Sequence, residues 1–264
     1  MKVILFDLDG TLLPLDEKLF VDIYFRELSK VFLEYNIDPK KLVETIWTAT
    51  HEMIKNDGRR TNEEIFWEKF KSEVDTDLSD VKDVLEKFYA NEFFTLVKEA
   101  STENNLAKLA VELAKKDGRK VVLATNPVFP ENALVRLKWT GLDVDDFDYI
   151  THYSNSSFSK PNPKYYLHLC EKFGVEPKDC LMIGNDERED IHAASSVGMN
   201  CYLVTDNLNP APEYEINCER GSFKDLIEKL KQLTIKVDQN KEDFENKLRE
   251  LKNKIENDLN KAVN

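Results

Sequence analysis

The chain has 264 residues, 41% of them hydrophobic and 33% charged, which is the balance of a globular protein able to bury a sizeable core. Its formal net charge of -13 argues against nonspecific binding of nucleic acid, which requires a basic face. An anionic substrate would be repelled at long range, so local cations must attract it.

The spacing of the cysteines and the length of the apolar runs indicate the cellular compartment of the protein. The chain has no CxxC spacing, so we expect neither a zinc site nor a disulfide framework, but buried thiols in a reducing cytosol. No apolar run approaches the roughly 18 residues that span a membrane, and the N-terminal run is too short for a signal peptide. The prediction is a cytoplasmic protein without membrane partners. The four cysteines are Cys170, Cys180, Cys201 and Cys218.

The first predicted element is a buried strand, residues 2–6, which ends in an acidic loop that contains Gly10. Residues 16–98 then carry apolar residues at helical spacing and few strand signals. Thr61 followed by Glu64 is a capping box, which marks the start of one helix of this block. Helices are expected near 19–33, 42–53, 61–70 and 81–89.

From Ser101 onward, helices and strands alternate. This order predicts an α/β fold, a Rossmann-like parallel sheet with helices on both faces, in which residues 16–98 form an inserted all-helical cap domain. Ligands of such sheets bind beyond the carboxyl ends of the strands. The predicted strands are 2–6, 120–124, 148–152, 180–183 and 200–204, and the later helices are 106–116, 130–141, 163–173, 191–197 and 223–233. The predicted units are a catalytic core of 1–15 and 99–233, a cap of 16–98 and a C-terminal helical extension of 234–264.

The C-terminal extension carries a short heptad pattern. Val237, Phe244 and Leu251 share one heptad position, and Leu248 and Ile255 share the other. These are about two heptads, fewer than a coiled coil requires. A helix packed on its own domain is the preferred interpretation, and a homodimer through this helix is the alternative.

Polar side chains follow each of four predicted strands. Asp7 and Asp9 are two carboxylates at alternate positions, which can converge on a divalent cation, or one of them can attack phosphorus. In the second loop, the Thr125 hydroxyl and the backbone around Asn126 are suited to hold a phosphate oxygen. Lys160, in the third loop, stands just before a helix N-terminus, where the local field is positive.

The fourth loop is again acidic. Asp186 is predicted to complete the shell of a cation, and Asp190 to support that shell or to orient Lys160. All four loops lie at strand ends of one sheet, so their side chains are expected to meet. Magnesium-assisted phosphoryl transfer requires a nucleophile, an acid–base group, a phosphate ligand, a cation and a metal ligand, and these loops supply residues for each.

Together these loops resemble the four motifs of the haloacid dehalogenase superfamily of phosphohydrolases. The resemblance covers 1–15 and 99–233, and the helical block resembles the type-one cap of that superfamily by its position. The matching residues are Asp7-Leu8-Asp9-Gly10-Thr11, Thr125, Lys160 and Gly184-Asn185-Asp186-Glu187-Arg188-Glu189-Asp190.

The resemblance implies roles for these residues. Asp7 is the expected nucleophile, which forms an aspartyl-phosphate, and Asp9 is the expected general acid and then general base. Thr125 is expected to bind the transferring phosphoryl group of a small phosphorylated metabolite, and Lys160 to neutralise its charge and steady Asp7. Mg²⁺ is the expected cofactor, held by Asp7, by the backbone carbonyl of Asp9 and by a fourth-loop acid.

Three alternatives stay open. Family members often have Gly-Asp where this chain has Gly184-Asn185-Asp186, so Asn185 can take the metal position; Asp186 is preferred because a carboxylate binds magnesium better than an amide. A phosphomutase or a 2-haloacid dehalogenase is the related activity, although the family's dehalogenases usually lack the counterpart of Asp9. A noncatalytic binding protein is the remaining alternative.

In the cap, Arg59 and Arg60 are candidates for contact with an anionic substrate.

Overall fold

The structure is a computed structural model that describes residues 1–34, 38–74, 78–90, 95–126, 129–234, 239 and 245–249. Its strands are β1 (Val3–Phe6), β2 (Lys120–Leu123), β3 (Tyr149–Ile150), β4 (Cys180–Gly184), β5 (Asn200–Val204) and β6 (Glu219–Gly221). These six strands form one parallel sheet in the order β3-β2-β1-β4-β5-β6, so the predicted α/β fold is confirmed.

The first strand lies at the centre of the sheet and is buried on both faces. Ile4 and Phe6 pack into one apolar cluster, whereas Val3 and Leu5 pack into another on the opposite face. Successive side chains of a strand point to opposite faces, so a continuous apolar run is what a doubly covered strand needs. The loop that follows Phe6 therefore begins in the middle of the carboxyl edge.

Helices cover both faces of the sheet. Side chains from the helices 107–115, 130–139 and 223–234 join the cluster of Ile4 and Phe6, and side chains from the helices 163–173 and 193–195 join that of Val3 and Leu5. The helices of the sheet region are α5 (Ala107–Lys115), α6 (Pro130–Trp139), α7 (Pro163–Phe173), α8 (Ala193–Ser195) and α9 (223–234).

Between Phe6 and Ala90 the described residues form four further α-helices, as the helical spacing predicts. Thr61 and Glu64 form the predicted capping box at the start of the third of them. Their buried apolar side chains belong to the same cluster as Ile4 and Phe6. Leu19 and Leu33 on the first of them are 42% and 60% exposed. The four helices are α1 (Glu17–Glu34), α2 (Pro39–Ile54), α3 (Asn62–Glu73) and α4 (Leu78–Ala90).

Three expectations about the later chain need correction. Strand β6 was not predicted, because Glu-Arg-Gly has neither apolar alternation nor β-branched residues. The helix expected at 191–197 begins earlier, as a π-helical turn over Glu187–His192. Cys218 is half-buried, whereas Cys170, Cys180 and Cys201 are buried as expected.

Most of the C-terminal extension lies outside the described residues. These include Val237, Phe244, Leu251 and Ile255, four of the five heptad residues. Leu248 is described and is 44% exposed. The packing of this extension, and the dimer that it would form, stay predictions.

Candidate active site

The loop after β1 turns sharply at the carboxyl edge of the sheet. The Asp7 amide donates to the carbonyl of Ile183 over 2.9 Å, which continues the pairing with β4. Gly10 has φ +82°, and a Cβ there would collide with the side chain of Asn185. Glycine is therefore required at this position both by its conformation and by the close approach of the fourth loop.

Lys160 joins three loops at the centre of the site. Its ammonium donates to Asp7 Oδ1 over 2.6 Å and to Asp190 Oδ1 over 2.7 Å. The lysine is only 3% exposed, and Asp190 1%. The predicted neighbours Asp7, Lys160 and Asp190 are thus in contact in the folded chain.

Burial sets the charge balance of this cluster. It raises the pKa of Asp7 to about 7 and that of Asp190 to about 6, although the charge of Lys160 opposes both shifts. Burial also disfavours the charged form of Lys160, but Asp190 and Asp7 outweigh it, and the pKa of the lysine lies well above its ordinary value. The lysine is therefore held as a cation.

Asn126 fixes the backbone of Lys160. Its Oδ1 accepts from the Lys160 amide and its Nδ2 donates to the Lys160 carbonyl, both over 3.0 Å. Thr125, next to it, is buried, and its amide donates to the hydroxyl of Thr151 over 2.9 Å. Both residues line the same cavity as Asp7. The structure thus gives Asn126 a supporting position in addition to the predicted place beside a phosphate.

Asp9 is paired with an arginine that the sequence analysis did not single out. The Nε and Nη2 atoms of Arg136, on α6, each donate to one Asp9 oxygen over 2.8 Å. The guanidinium lies over the ring of Phe20, 5.0 Å from its centroid, and also donates to Asn132. Arg136 itself is 5% exposed.

The position of Arg136 in its helix indicates that this residue is buried. It stands next to Leu137 and three residues after Ala133, which are both buried on the inner face of α6. A charged residue at a buried position needs a partner of opposite charge. The pattern indicates that a partner exists but not which residue it is.

The fourth loop supplies two different side chains. Asn185 is 3% exposed; its Oδ1 accepts from Thr11 over 2.9 Å and its Nδ2 donates to the carbonyl of Asn207 over 2.8 Å. Asp186 caps the following helical turn, since its Oδ1 accepts from the amides of Arg188 and Glu189, and its Oδ2 accepts from the side-chain amide of Asn209. Asn185 therefore ties loops together, whereas Asp186 offers a carboxylate at the edge of the cavity.

These side chains surround a cavity of about 140 Å³. It is lined by every residue predicted at the strand ends for catalysis, phosphate binding, metal binding or support, and also by Glu17, Arg136 and Glu189, which were not predicted. Burial raises the pKa of Glu189 to about 7. The lining residues are Asp7, Asp9, Glu17, Thr125, Asn126, Arg136, Lys160, Asn185, Asp186, Glu189 and Asp190.

The oxygen atoms that line the cavity are of the kind that binds a hard divalent cation such as Mg²⁺. Within the described part of the chain, no three Asp, Glu, His or Cys side chains converge closely enough to hold a metal alone. The expected ligand set needs only two carboxylates, Asp7 and Asp186, with the backbone carbonyl of Asp9. Arg136 holds the carboxylate of Asp9 by one hydrogen bond to each oxygen, and the backbone carbonyl of Asp9 is the group expected to bind the metal.

Comparison with known proteins gives the class of this site and fold. The model of the haloacid dehalogenase-like hydrolase family matches residues 1–198, three quarters of the chain. The chain belongs to the haloacid dehalogenase-like hydrolases, and the family predicted from the four motifs is confirmed.

Individual relatives are more distant. A phosphoglycolate phosphatase of Nitrosospira multiformis is 32% identical over 77 residues, which are 29% of this chain and 34% of that protein. The chain thus spans about a third of the length of this relative. A haloacid dehalogenase phosphatase of Thermococcus onnurineus has a similar fold, with a TM-score of 0.54 and 23% identity over 87% of this chain and 98% of that one.

A second solved structure was obtained with a metal. The haloacid dehalogenase hydrolase YfnB of Bacillus subtilis, described as bound to magnesium, has a TM-score of 0.50 and 18% identity, and the match covers 87% of this chain and 98% of that one.

In the described ranges of the present chain, no helix is long and apolar enough to cross a bilayer.

Proposed function

We propose that this protein is a phosphatase that hydrolyses a small phosphate monoester with magnesium, through an aspartyl-phosphate on Asp7. The observation that carries the proposal is the contact of Lys160 with both Asp7 and Asp190 at the end of the central strand. A buried lysine beside a buried carboxylate can hold that carboxylate in place and neutralise an arriving phosphoryl group. The relative named phosphoglycolate phosphatase supports a phosphate ester as substrate.

In the proposed reaction, an oxygen of Asp7 attacks phosphorus while the ester oxygen leaves with a proton from Asp9. Water then attacks the phosphorus of the aspartyl-phosphate and gives its proton to Asp9, which regenerates both carboxyl groups and releases phosphate. Each oxygen of Asp9 accepts one hydrogen bond from Arg136 and keeps a second lone pair, through which Asp9 can exchange a proton with substrate.

The charge of the cavity supports a requirement for magnesium. Among the described residues that line it, six are acidic and only Lys160 and Arg136 are basic. A phosphate dianion entering this field needs further positive charge, which magnesium on Asp7 and Asp186 would supply when bound. Asn185, Asp190 and Asn126 then act as supports, and Thr125 as a ligand of the phosphoryl group.

The proposal is tested by release of phosphate from p-nitrophenyl phosphate by the purified chain. We expect turnover with Mg²⁺, none in excess chelator, and inhibition by Ca²⁺, whose looser shell admits both oxygens of Asp7. Asp7→Asn should abolish turnover, and Asp148→Asn, which changes a carboxylate outside the cavity, should not. Full activity in chelator would contradict the proposal and favour the metal-free dehalogenase chemistry.

Location and partners stay predictions from the sequence. A cytoplasmic enzyme without nucleic-acid or membrane partners stays the expectation, as does a homodimer through the C-terminal helix as the alternative to a helix packed on its own domain.

A further inference from the structure

The lining of the cavity constrains the part of the substrate that leaves with the ester oxygen. Besides the groups assigned to phosphoryl transfer, the cavity is lined by two more acids, Glu17 and Glu189. Glu17 stands in the first turn of α1, directly after the loop of Asp7. Burial raises its pKa, and the neighbouring charges of Asp186, Asp9 and Asp7 raise it further, so Glu17 lies in the same negative field.

Both cations of the cavity are engaged by protein carboxylates. Lys160 contacts Asp7 and Asp190, and the guanidinium of Arg136 is paired through two nitrogens with Asp9. Lys160 is also the expected partner of the phosphoryl group. Within the described residues, the cavity therefore offers no cation for a second anionic group of a substrate.

The two arginines near the start of the third helix, Arg59 and Arg60, do not supply a cation to this cavity either. Arg59 is paired with Asp57 and Arg60 with Glu68, and neither arginine is among the residues that line the cavity. The sequence-based expectation that they contact an anionic substrate is thus not supported by their position. Apart from Lys160 and Arg136, the charged residues that line the cavity are therefore acidic.

On the basis of the proposed function, we propose that the substrate is a phosphate monoester whose alcohol carries no second negative charge, with a cationic alcohol preferred over an uncharged one. A carboxylate or second phosphate on the alcohol would lie near Glu17 without a counter-ion. An ammonium or hydroxyl group would meet carboxylate acceptors there, and an ammonium would also gain from the negative field. This selectivity arises from repulsion as much as from attraction.

The test compares three esters of similar size that differ in the charge of the alcohol. They are phosphoethanolamine, 2-hydroxyethyl phosphate and phosphoglycolate, assayed with Mg²⁺ for phosphate release, with p-nitrophenyl phosphate as the reference. We expect kcat/KM to fall in that order, with phosphoglycolate on the order of tenfold below 2-hydroxyethyl phosphate at low salt. The difference should narrow as NaCl is added, because exposed charges are screened.

Glu17→Gln identifies the source of the selectivity. This variant should reduce the ratio of kcat/KM between 2-hydroxyethyl phosphate and phosphoglycolate by about two- to fivefold, since it removes one repelling charge. Glu112→Gln is the matched control, because Glu112 is an exposed acid of α5 outside the cavity. It should leave the ratio unchanged.

The outcomes separate this inference from the proposed function. Hydrolysis of p-nitrophenyl phosphate with phosphoglycolate equal to or better than the other two esters would overturn the inference alone. An unchanged ratio in Glu17→Gln would overturn the part assigned to Glu17. Absence of hydrolysis of all four esters would overturn the proposed function and the inference with it.

Discussion

Arg136 holds Asp9 by two parallel hydrogen bonds of 2.8 Å, across 127 positions of the chain. The pair joins the loop after β1 to the inner face of α6, and Phe20 at the start of α1 covers the guanidinium. Three separate segments therefore fix the orientation of one carboxylate. As the proposed general acid, Asp9 depends for its position on Arg136, which is assigned no proton or phosphoryl transfer of its own and acts as a positioning residue.

Arg136→Lys should weaken the protonation of the leaving group more than the attack on phosphorus. Lysine keeps the charge but cannot donate two parallel hydrogen bonds to Asp9. We expect kcat for an alkyl phosphate to fall on the order of tenfold, a part of what acid catalysis supplies. The fall for p-nitrophenyl phosphate, whose leaving group needs little protonation, should be smaller.

Arg119→Lys is the control for that variant. Arg119 is equally buried, but it donates to the carbonyls of Ala114 and Leu113, and it does not line the cavity. Its replacement should lower the melting temperature without changing the ratio between the two substrates. The positioning role of Arg136 would be refuted by equal losses of both substrates in Arg136→Lys.

Asp9→Asn should separate the two chemical steps. Attack by Asp7 on p-nitrophenyl phosphate can proceed with its good leaving group, whereas hydrolysis of the aspartyl-phosphate needs a base for water. A stopped-flow trace should show a burst of nitrophenolate near one equivalent, followed by turnover lower by roughly 10²- to 10⁴-fold. Without a burst, and with both phases slowed equally, the acid–base assignment fails.

Asp186→Ala should weaken magnesium binding more than Asn185→Ala does. Both side chains are already hydrogen-bonded, Asp186 to the amides of Arg188 and Glu189 and to Asn209, and Asn185 to Thr11 and Asn207. Only Asp186 is anionic, and its Oδ2, which accepts one hydrogen bond, keeps a lone pair for a cation. We expect the magnesium dissociation constant, measured by calorimetry, to rise on the order of 10- to 100-fold in Asp186→Ala. Asn185→Ala should instead lower the melting temperature.

A reversed order would move the metal ligand to Asn185. In that case Asn185→Ala would show the larger rise of the dissociation constant at an unchanged melting temperature. Asn185→Asp then becomes the informative variant, because an anionic oxygen at the ligand position should tighten magnesium binding.

The metal-free protein should lose stability as pH rises from about 4 to about 7. Asp7 and Asp190 ionise near 3.8 when unfolded, but their pKa values are raised to about 7 and about 6 in the folded state. The folded state thus binds more protons over this interval, and the free energy of unfolding falls with rising pH. Asp7→Asn should raise the melting temperature at pH 8 by roughly 2–4 °C, and hardly at pH 4.

Asp148→Asn provides a control of opposite sign. Burial opposes the charge of Asp148, but the ammonium of Lys120 and the amide of Val121 outweigh it, so its pKa is lowered. Its stabilisation is present above the unfolded pKa near 3.8 and is lost as pH falls through the folded value. This variant should therefore lower the melting temperature at pH 8. A stabilising Asp148→Asn, or a destabilising Asp7→Asn at pH 8, would contradict this account of the charges.

Much of the fold and of the site was predictable because both depend on local patterns. Four apolar runs, each followed by polar residues, are enough to place Asp7, Thr125, Lys160 and Asp190 at one edge, since the carboxyl ends of parallel strands lie side by side. Strand β6 escaped prediction because its three residues are held in the sheet by pairing with β5 and not by their own propensity.

The sequence by itself determined which strands end in polar loops, that the residues between β1 and β2 are mainly helical, and that the chain turns at Gly10. Tertiary structure alone decided that Arg136 pairs with Asp9 and that Glu17 lines the same cavity. Both depend on how α1 and α6 dock on the sheet edge. Helical periodicity specifies which face of a helix is buried, but not which distant side chain meets it there.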